Sequence, residues 1–139
     1  MTLIDQSKFV PGVNIQWPWS KLILEGKKTV ETRSYTLPSH YIGIDLAVIE
    51  TPGPMGSKNG ISKAQIVGIV RFGQPFEYTS EANWIADSSR HLVPVGDPNF
   101  GWSQVKPKWG WPIEKFQRIK SRPPPKIRGH VFARACIIR

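Results

Sequence analysis

The chain has 139 residues, 40% of them hydrophobic, with 13 prolines, 12 glycines and a net charge of +9. That length suits one domain spanning 1–139 with a real buried core, and so many chain-breaking residues favour strands and loops over long helices. No apolar run reaches the 18 or so residues of a transmembrane helix, and the first thirteen residues, which carry Asp5 and Lys8, lack the apolar centre of a secretory signal.

Residues 1–12 read as an irregular lead-in ended by Pro11-Gly12. Val13 and Ile15 then begin a short strand. Pro18 fits the first position of a helix, where its missing N–H costs nothing because the opening amides have no internal partner. Trp19, Leu22 and Ile23 fall at i, i+3 and i+4 on one apolar stripe, and Gly26 sits where such a helix ends in a left-handed residue. A strand-like run follows, with Thr29, Glu31 and Arg33 alternating with Val30 and Thr32. With Val30 facing the core, Glu31 and Arg33 project together from the opposite face, and Lys27 and Lys28 lie at the mouth of the turn. A carboxylate flanked by three cations within seven residues reads either as a surface ion-pair cluster, which is energetically weak, or as a polar binding site.

Residues 34–41 contain Pro38 and read as a loop flanked by Tyr35 and Tyr41. Residues 42–51 form the clearest strand: Ile42, Ile44, Leu46 and Val48 alternate with Gly43, Asp45, Ala47 and Ile49, an apolar run half hidden on both faces. Residues 52–60 are dense in turn formers and are expected as an exposed loop; without Gly-Lys-Ser/Thr or a following helix they are no phosphate loop. Residues 62–78 give another strand with Ile66, Val67, Ile69 and Val70 as core candidates, and Gly68 marks a bulge or a close backbone approach. Ser80 caps a short helix running to about Ser88, with Glu81 in its first turn and Trp84 and Ile85 turned inward. Residues 94–108 are a loop carrying Phe100 and Trp102 over one end of the fold. Residues 109–113 begin a strand or a short helix, since the spacing of Ile113, Phe116 and Ile119 does not decide between them. Three prolines stiffen residues 121–127 into an extended arm, a rigid turn before a closing strand in which Cys136 packs as a small apolar residue. That cysteine stands alone, so no internal disulfide is expected and a reducing cytosol fits. His40, His91 and His130 are too scattered to hold zinc, and neither a metal nor another cofactor is expected.

The charge is unevenly placed. Residues 1–103 hold nine Lys/Arg and nine Asp/Glu, whereas residues 104–139 hold ten Lys/Arg against Glu114 alone. An excess confined to the final quarter points to a polyanion partner, because neutralising phosphates releases condensed counterions; the alternative is a solvated basic face.

The residues Gln16, Pro18-Trp19, Leu22-Ile23, Gly26-x-Lys28, Glu31 and Arg33-Ser34 resemble the signature of ASCH domains. The nearest resemblance is to the activating-signal-cointegrator type, in which Gln-Pro-Trp precedes Gly-x-Lys-x-x-Glu-x-Arg; Trp17 is an insertion relative to that pattern. The end of the chain is similar too, with Trp111, the prolines at 123–125, Arg128-Gly129 and a closing strand over 131–138. The resemblance implies an α+β fold, a small mixed β-barrel of PUA-like type with a few short helices, and RNA or another nucleic acid as partner.

A cleft for RNA needs cations for the backbone and flat groups for bases. Lys28 and Arg33 suit phosphate or ribose, the one as a point charge and the other as a fork. Glu31 either accepts from a base edge or holds Arg33. Trp17, Trp19 and Trp111 are the candidate stacking rings, together with Tyr35 or Tyr41; Trp19 lies on the helix's apolar stripe and fits the core better, which leaves Trp17 the freer indole. Lys21, Lys27, Ser34, Lys126 and Arg128 complete the candidate contacts. Hydrolysis is the alternative. Small bacterial amidohydrolases of the ASCH family pair the Lys of Gly-x-Lys with a Thr three residues later. Lys28 matches, but Glu31 stands at the second position, so a carboxylate would have to activate water. A metal-free ribonuclease would use Glu31 as base and Lys28 to stabilise the phosphorane, with no histidine placed by sequence to help.

Overall fold

The computed structural model describes residues 8–138; residues 1–7 of the expected lead-in lie outside the described residues. Seven strands form one mixed sheet: β1 Lys8–Gln16, β2 Val30–Arg33, β3 Asp45–Thr51, β4 Gln65–Phe72, β5 Phe76–Tyr78, β6 Lys108–Arg122 and β7 Phe132–Ile138. The order is β2-β6-β4-β3-β1-β7, with β5 paired to β6 beside this path. Only β1 and β3 run parallel among these pairs. Four short helices complete the α+β architecture: α1 Trp19–Leu24, α2 Gly53–Lys58, α3 Glu81–Ala86 and α4 Ser88–His91. No described helix is long and apolar enough to cross a membrane.

The sheet coils toward a barrel but does not close by strand pairing. Side chains span the seam instead. The Arg33 guanidinium on β2 donates to the Asn14 carbonyl of β1 at 2.8 Å, and Trp111 of β6 stacks on Phe132 of β7 with ring centroids 6.3 Å apart. The alternation of β3 explains how both faces are filled. Leu46 and Val48 join the larger core with Val13, Ile15, Ile23, Phe72, Trp84 and Trp111. Ala47 and Ile49 join a smaller one with Ile66, Ala133 and Cys136. Burial raises the Cys136 thiol above its ordinary pKa, as for a small packed apolar residue.

Several element boundaries differ from the sequence reading, each for a local reason. The lead-in is already strand from Lys8, because Pro11 falls at a bulge between Val10 and Gly12 where a ladder donor is not required. The first strand turn of 42–51 is a bend; pairing begins only at Asp45, after Gly43 at φ 73°. Residues 52–60 hold helix α2 and not only loop: Pro52 and Pro54 carry the φ of a first turn, and Gly56 N–H closes onto the Pro52 carbonyl at 2.9 Å. The strand over 62–78 is two strands, broken where Gly73 and Pro75 interrupt the ladder. Ser80 caps α3 by accepting from the Asn83 amide at 3.1 Å and Trp84 is buried, but Ile85, one position on, faces outward at 39% exposure. Residues 109–113 are strand, the start of the 15-residue β6.

Gly68 is the expected close approach. A Cβ there would lie 2.7 Å from the Gln117 carbonyl oxygen on β6 and 2.6 Å from Leu24 Cδ2, so the glycine lets α1 sit directly on the sheet.

Candidate functional site

Helix α1 ends in a glycine closure that sets the site. Gly26 is left-handed at φ 76°; its amide donates to the Ile23 carbonyl at 3.0 Å, and the Lys27 amide donates to the Leu22 carbonyl at 3.0 Å. This Schellman pairing uses carbonyls that the helix end would otherwise leave unmet. It also reverses the chain so that consecutive lysines diverge. Lys27 turns to solvent and pairs with Glu25 at 3.3 Å, where Lys21 also pairs at 3.3 Å. Lys28 turns inward and is only 1% exposed. Its ammonium donates to the His91 carbonyl, lies 3.7 Å from Glu31 Oε1 and sits 4.9 Å from the centre of the Trp19 ring.

Strand β2 carries the partners of this ammonium. Antiparallel pairing sets Glu31 opposite Trp111 and Arg33 opposite Trp109 on β6. Glu31 Oε2 accepts from Nε of Arg33 at 2.9 Å and is ion-paired with Nη2 at 2.9 Å. The same guanidinium donates from Nη1 to the Tyr35 hydroxyl at 2.9 Å and from Nη2 to Asn14 O at 2.8 Å, and it lies 5.1 Å over Trp111. Arg33 is therefore spent on structure, its fork held on three sides. Lys28 is held less completely. Burial is the main influence on its ammonium and pulls it from 10.5 to about 8; Glu31 works against that fall, while Arg33 and Lys108 add to it.

These groups line a cavity of about 290 Å³ whose walls also include Asn14, Gln16, Trp19, Tyr35, Phe100 and His130. Phe100 meets Trp19 edge to face at 5.4 Å, so the 94–108 loop does reach the cavity. On the opposite rim the Asn14 amide nitrogen donates to the carbonyls of Gly129 (3.2 Å) and His130 (3.0 Å), which pins the basic C-terminal turn against the opening.

No protein-family model matches the sequence, and no curated protein matches it. Solved structures do match. The ASCH protein of Zymomonas mobilis, crystallised unsubstituted and as two single-residue mutants, superposes with a TM-score of 0.62 at 15% identity. The match covers 81% of this chain and 72–74% of those chains. This chain has the ASCH fold.

On that ASCH scaffold the structure gathers some of the sequence candidates and separates others. Lys28, Glu31, Arg33 and Tyr35 come together at the cavity. Trp19 lines it while remaining 92% buried, at 8% exposure. Trp111 is a correction: the ring expected to stack on a base is fully buried, donating its indole N–H to the Tyr35 carbonyl at 3.2 Å. It supports Arg33 from beneath and has no face to offer. Lys21 and Lys27 are exposed at the outer end of α1, both paired with Glu25 at 3.3 Å, and neither lines the cavity. Of the three cations placed around Glu31, two reach it. Ser34 is exposed beside Tyr35; Lys126 and Arg128 are exposed on the turn leading to His130; Trp17 is half-buried and faces a neighbouring groove.

Asn14, His91, Thr51 and His130 belong to the site but carried no local signal. Each reaches it through chain-distant packing, and His91 contributes through its backbone carbonyl, which no residue pattern advertises. Its ring lies flat on Trp84, with centroids 4.6 Å apart and planes 10° off parallel. Among the described residues, no group of three or more His, Cys, Asp or Glu is placed to hold a metal ion.

Proposed function

We propose that this chain is a cytosolic RNA-binding protein that takes a single nucleotide unit into the Lys28–Glu31–Arg33 cavity, with the strand's backbone running over the basic turn at Lys126 and Arg128. The observation that carries this reading is the preset polar floor. Glu31 is fixed by Arg33, Arg33 is fixed by Tyr35 and Asn14, and an ammonium with one hydrogen bond among its three donors lies beside them. A cavity of about 290 Å³ is at the small end of ligand pockets, which suits one nucleoside and excludes a duplex. The exposed ring of Tyr35 at the rim offers a stacking surface.

The test is fluorescence polarisation with labelled single-stranded RNA at several salt concentrations. Affinity should fall steeply with salt, and Lys126→Ala and Arg128→Ala should each reduce the slope of log K against log salt by about one. Salt-insensitive binding would refute the reading.

A second reading, hydrolysis of an RNA or modified-nucleoside bond, draws on one observation. Burial pulls the Lys28 ammonium down to about 8, and it lines the cavity 3.7 Å from the Glu31 carboxylate, the kind of perturbed pair from which acid–base sites are built. Incubation with structured RNA and with an N-acylated cytidine, read by denaturing gel and chromatography, tests it: turnover should vanish in Lys28→Ala. Turnover unchanged in that variant removes Lys28 from any mechanism.

A further inference from the structure

A second groove of about 540 Å³ shares Gln16, Trp19 and Phe100 with the first cavity and lies on their other side. Its own walls are Trp17, which follows β1, and Pro54, Met55 and Lys58 of α2, the helix where the sequence pattern implied only loop. Met55 is 54% exposed and Lys58 is exposed at the edge. Asp97 also lines this groove, but its carboxylate accepts from the amides of Asn99 (2.9 Å) and Phe100 (2.8 Å), which shapes the loop.

We propose that this groove is a second base subsite, in which the nucleotide next to the one held by Lys28 and Glu31 stacks on the Trp17 indole and its phosphate meets Lys58. The proposal rests on the RNA reading above and deepens it from one nucleotide to two. Three features support a base as occupant. The groove combines a half-buried indole with apolar walls and a cation at the rim, the pairing of flat surface and positive charge that single strands require. It adjoins the first cavity through a shared wall, so one continuous strand can fill both. Trp17 is also the indole that neither the core nor the ion-pair network uses: Trp19 is packed under Phe100 and Trp111 under Arg33.

The experiment compares a nucleoside monophosphate, a dinucleotide and a tetranucleotide, titrated into the wild type and into Trp17→Ala, Trp17→Phe and Met55→Glu. Stacking of one base is worth about 1–3 kcal/mol, so the wild type should bind the dinucleotide roughly 5- to 150-fold tighter than the monophosphate. Trp17→Ala should remove that advantage and leave monophosphate affinity unchanged, while Trp17→Phe keeps most of it. Met55→Glu alters an exposed side chain and should likewise weaken only the longer ligands. Equal affinity for one and two nucleotides in the wild type overturns the second subsite and leaves the first standing. A loss in Trp17→Ala that is equal for all ligands also overturns it. Failure of the wild type to bind nucleotides of any length overturns the RNA reading itself, and the subsite with it.

Discussion

Replacing Lys28 with methionine tests whether the buried ammonium is held against its own preference. In the folded chain this group gives up its proton near pH 8, against 10.5 for an ordinary lysine. That gap corresponds to roughly 3 kcal/mol of disfavoured charge. The unfolded chain keeps the proton up to about 10.5, so between these two values unfolding takes up a proton and stability rises with pH. Between pH 8 and pH 10 the gain from this one residue is about 2 kcal/mol. Urea unfolding of the wild type and Lys28→Met at pH 7, 8, 9 and 10 measures it. Cys136 and Tyr78, both raised by burial with Tyr78 also held by Asp87, act in the opposite sense in this range, but they do so in both proteins and cancel in the difference. The stability of the wild type relative to the variant should climb by about 2 kcal/mol from pH 8 to pH 10. Parallel curves would refute the burial argument. A relative stability that falls with pH would show that Glu31 more than repays the desolvation and that Lys28 is a conventional ion pair.

Arg33→Lys keeps the charge but loses the fork that reaches Glu31, Tyr35 and Asn14 at once; thermal unfolding should report a loss of about 2–4 kcal/mol, and a loss under about 0.5 kcal/mol would mean the network is incidental. His91 is bound as a neutral ring, since Nδ1 accepts from the Val93 amide at 2.9 Å and Nε2 faces the Trp84 carbonyl at 2.7 Å. Burial lowers its pKa from 6.5, with the charges of Lys28 and Lys108 acting in the same direction and the Trp84 carbonyl and Asp87 against them. The unfolded ring therefore takes up a proton first as pH falls below about 6.5; acid-induced loss of stability between pH 6.5 and 5, followed by circular dichroism, should be shallower in His91→Phe than in the wild type, and equal slopes would refute the assignment. Gly68→Ala should cost about 1–3 kcal/mol by chemical denaturation, because the new methyl meets a backbone oxygen at 2.7 Å that cannot swing aside; a neutral substitution would show that α1 can lift off the sheet.

The sequence carried the frame of the site well because that frame is local. A helix stripe, a left-handed glycine and a period-two strand place Lys28, Glu31 and Arg33 within eight residues of the glycine that turns the chain, and short-range geometry alone brings them together. The same locality misled at Lys27. Spacing places it beside Glu31 with Lys28 and Arg33, but the glycine closure rotates it outward to Glu25 at the helix end. Trp111 failed for a different reason. An indole on a strand next to a basic segment reads as a stacking surface, and only the pairing of β6 with β2 beneath Arg33 shows that its face is already covered. Helix α2 was hidden by composition: Pro52 and Pro54, which signal turns, also suit a first helical turn, and Gly53 between them is itself left-handed at φ 58°.

The two cations flanking Glu31 are unequal, and the inequality separates scaffold from responsive group. Arg33 is saturated with protein partners, so an arriving ligand gains little from it without first breaking the seam between β2 and β1. Lys28 is buried at a cost, holds one hydrogen bond, and keeps its contact with Glu31 at the long distance of 3.7 Å. A buried ion pair of this kind adds little to stability, and an apolar pair of the same volume would fold at least as well. An anionic group placed beside Lys28 would restore the attraction that burial removed and raise its affinity for a proton. Binding at this cavity should therefore take up protons near pH 8 and weaken as the pH rises from 7 to 9, an effect that isothermal titration in buffers of different ionisation enthalpy reads directly. Binding whose affinity is flat across that range would mean that the ligand never approaches the ammonium, and the cavity would then be reduced to a structural gap over a well-packed Arg33.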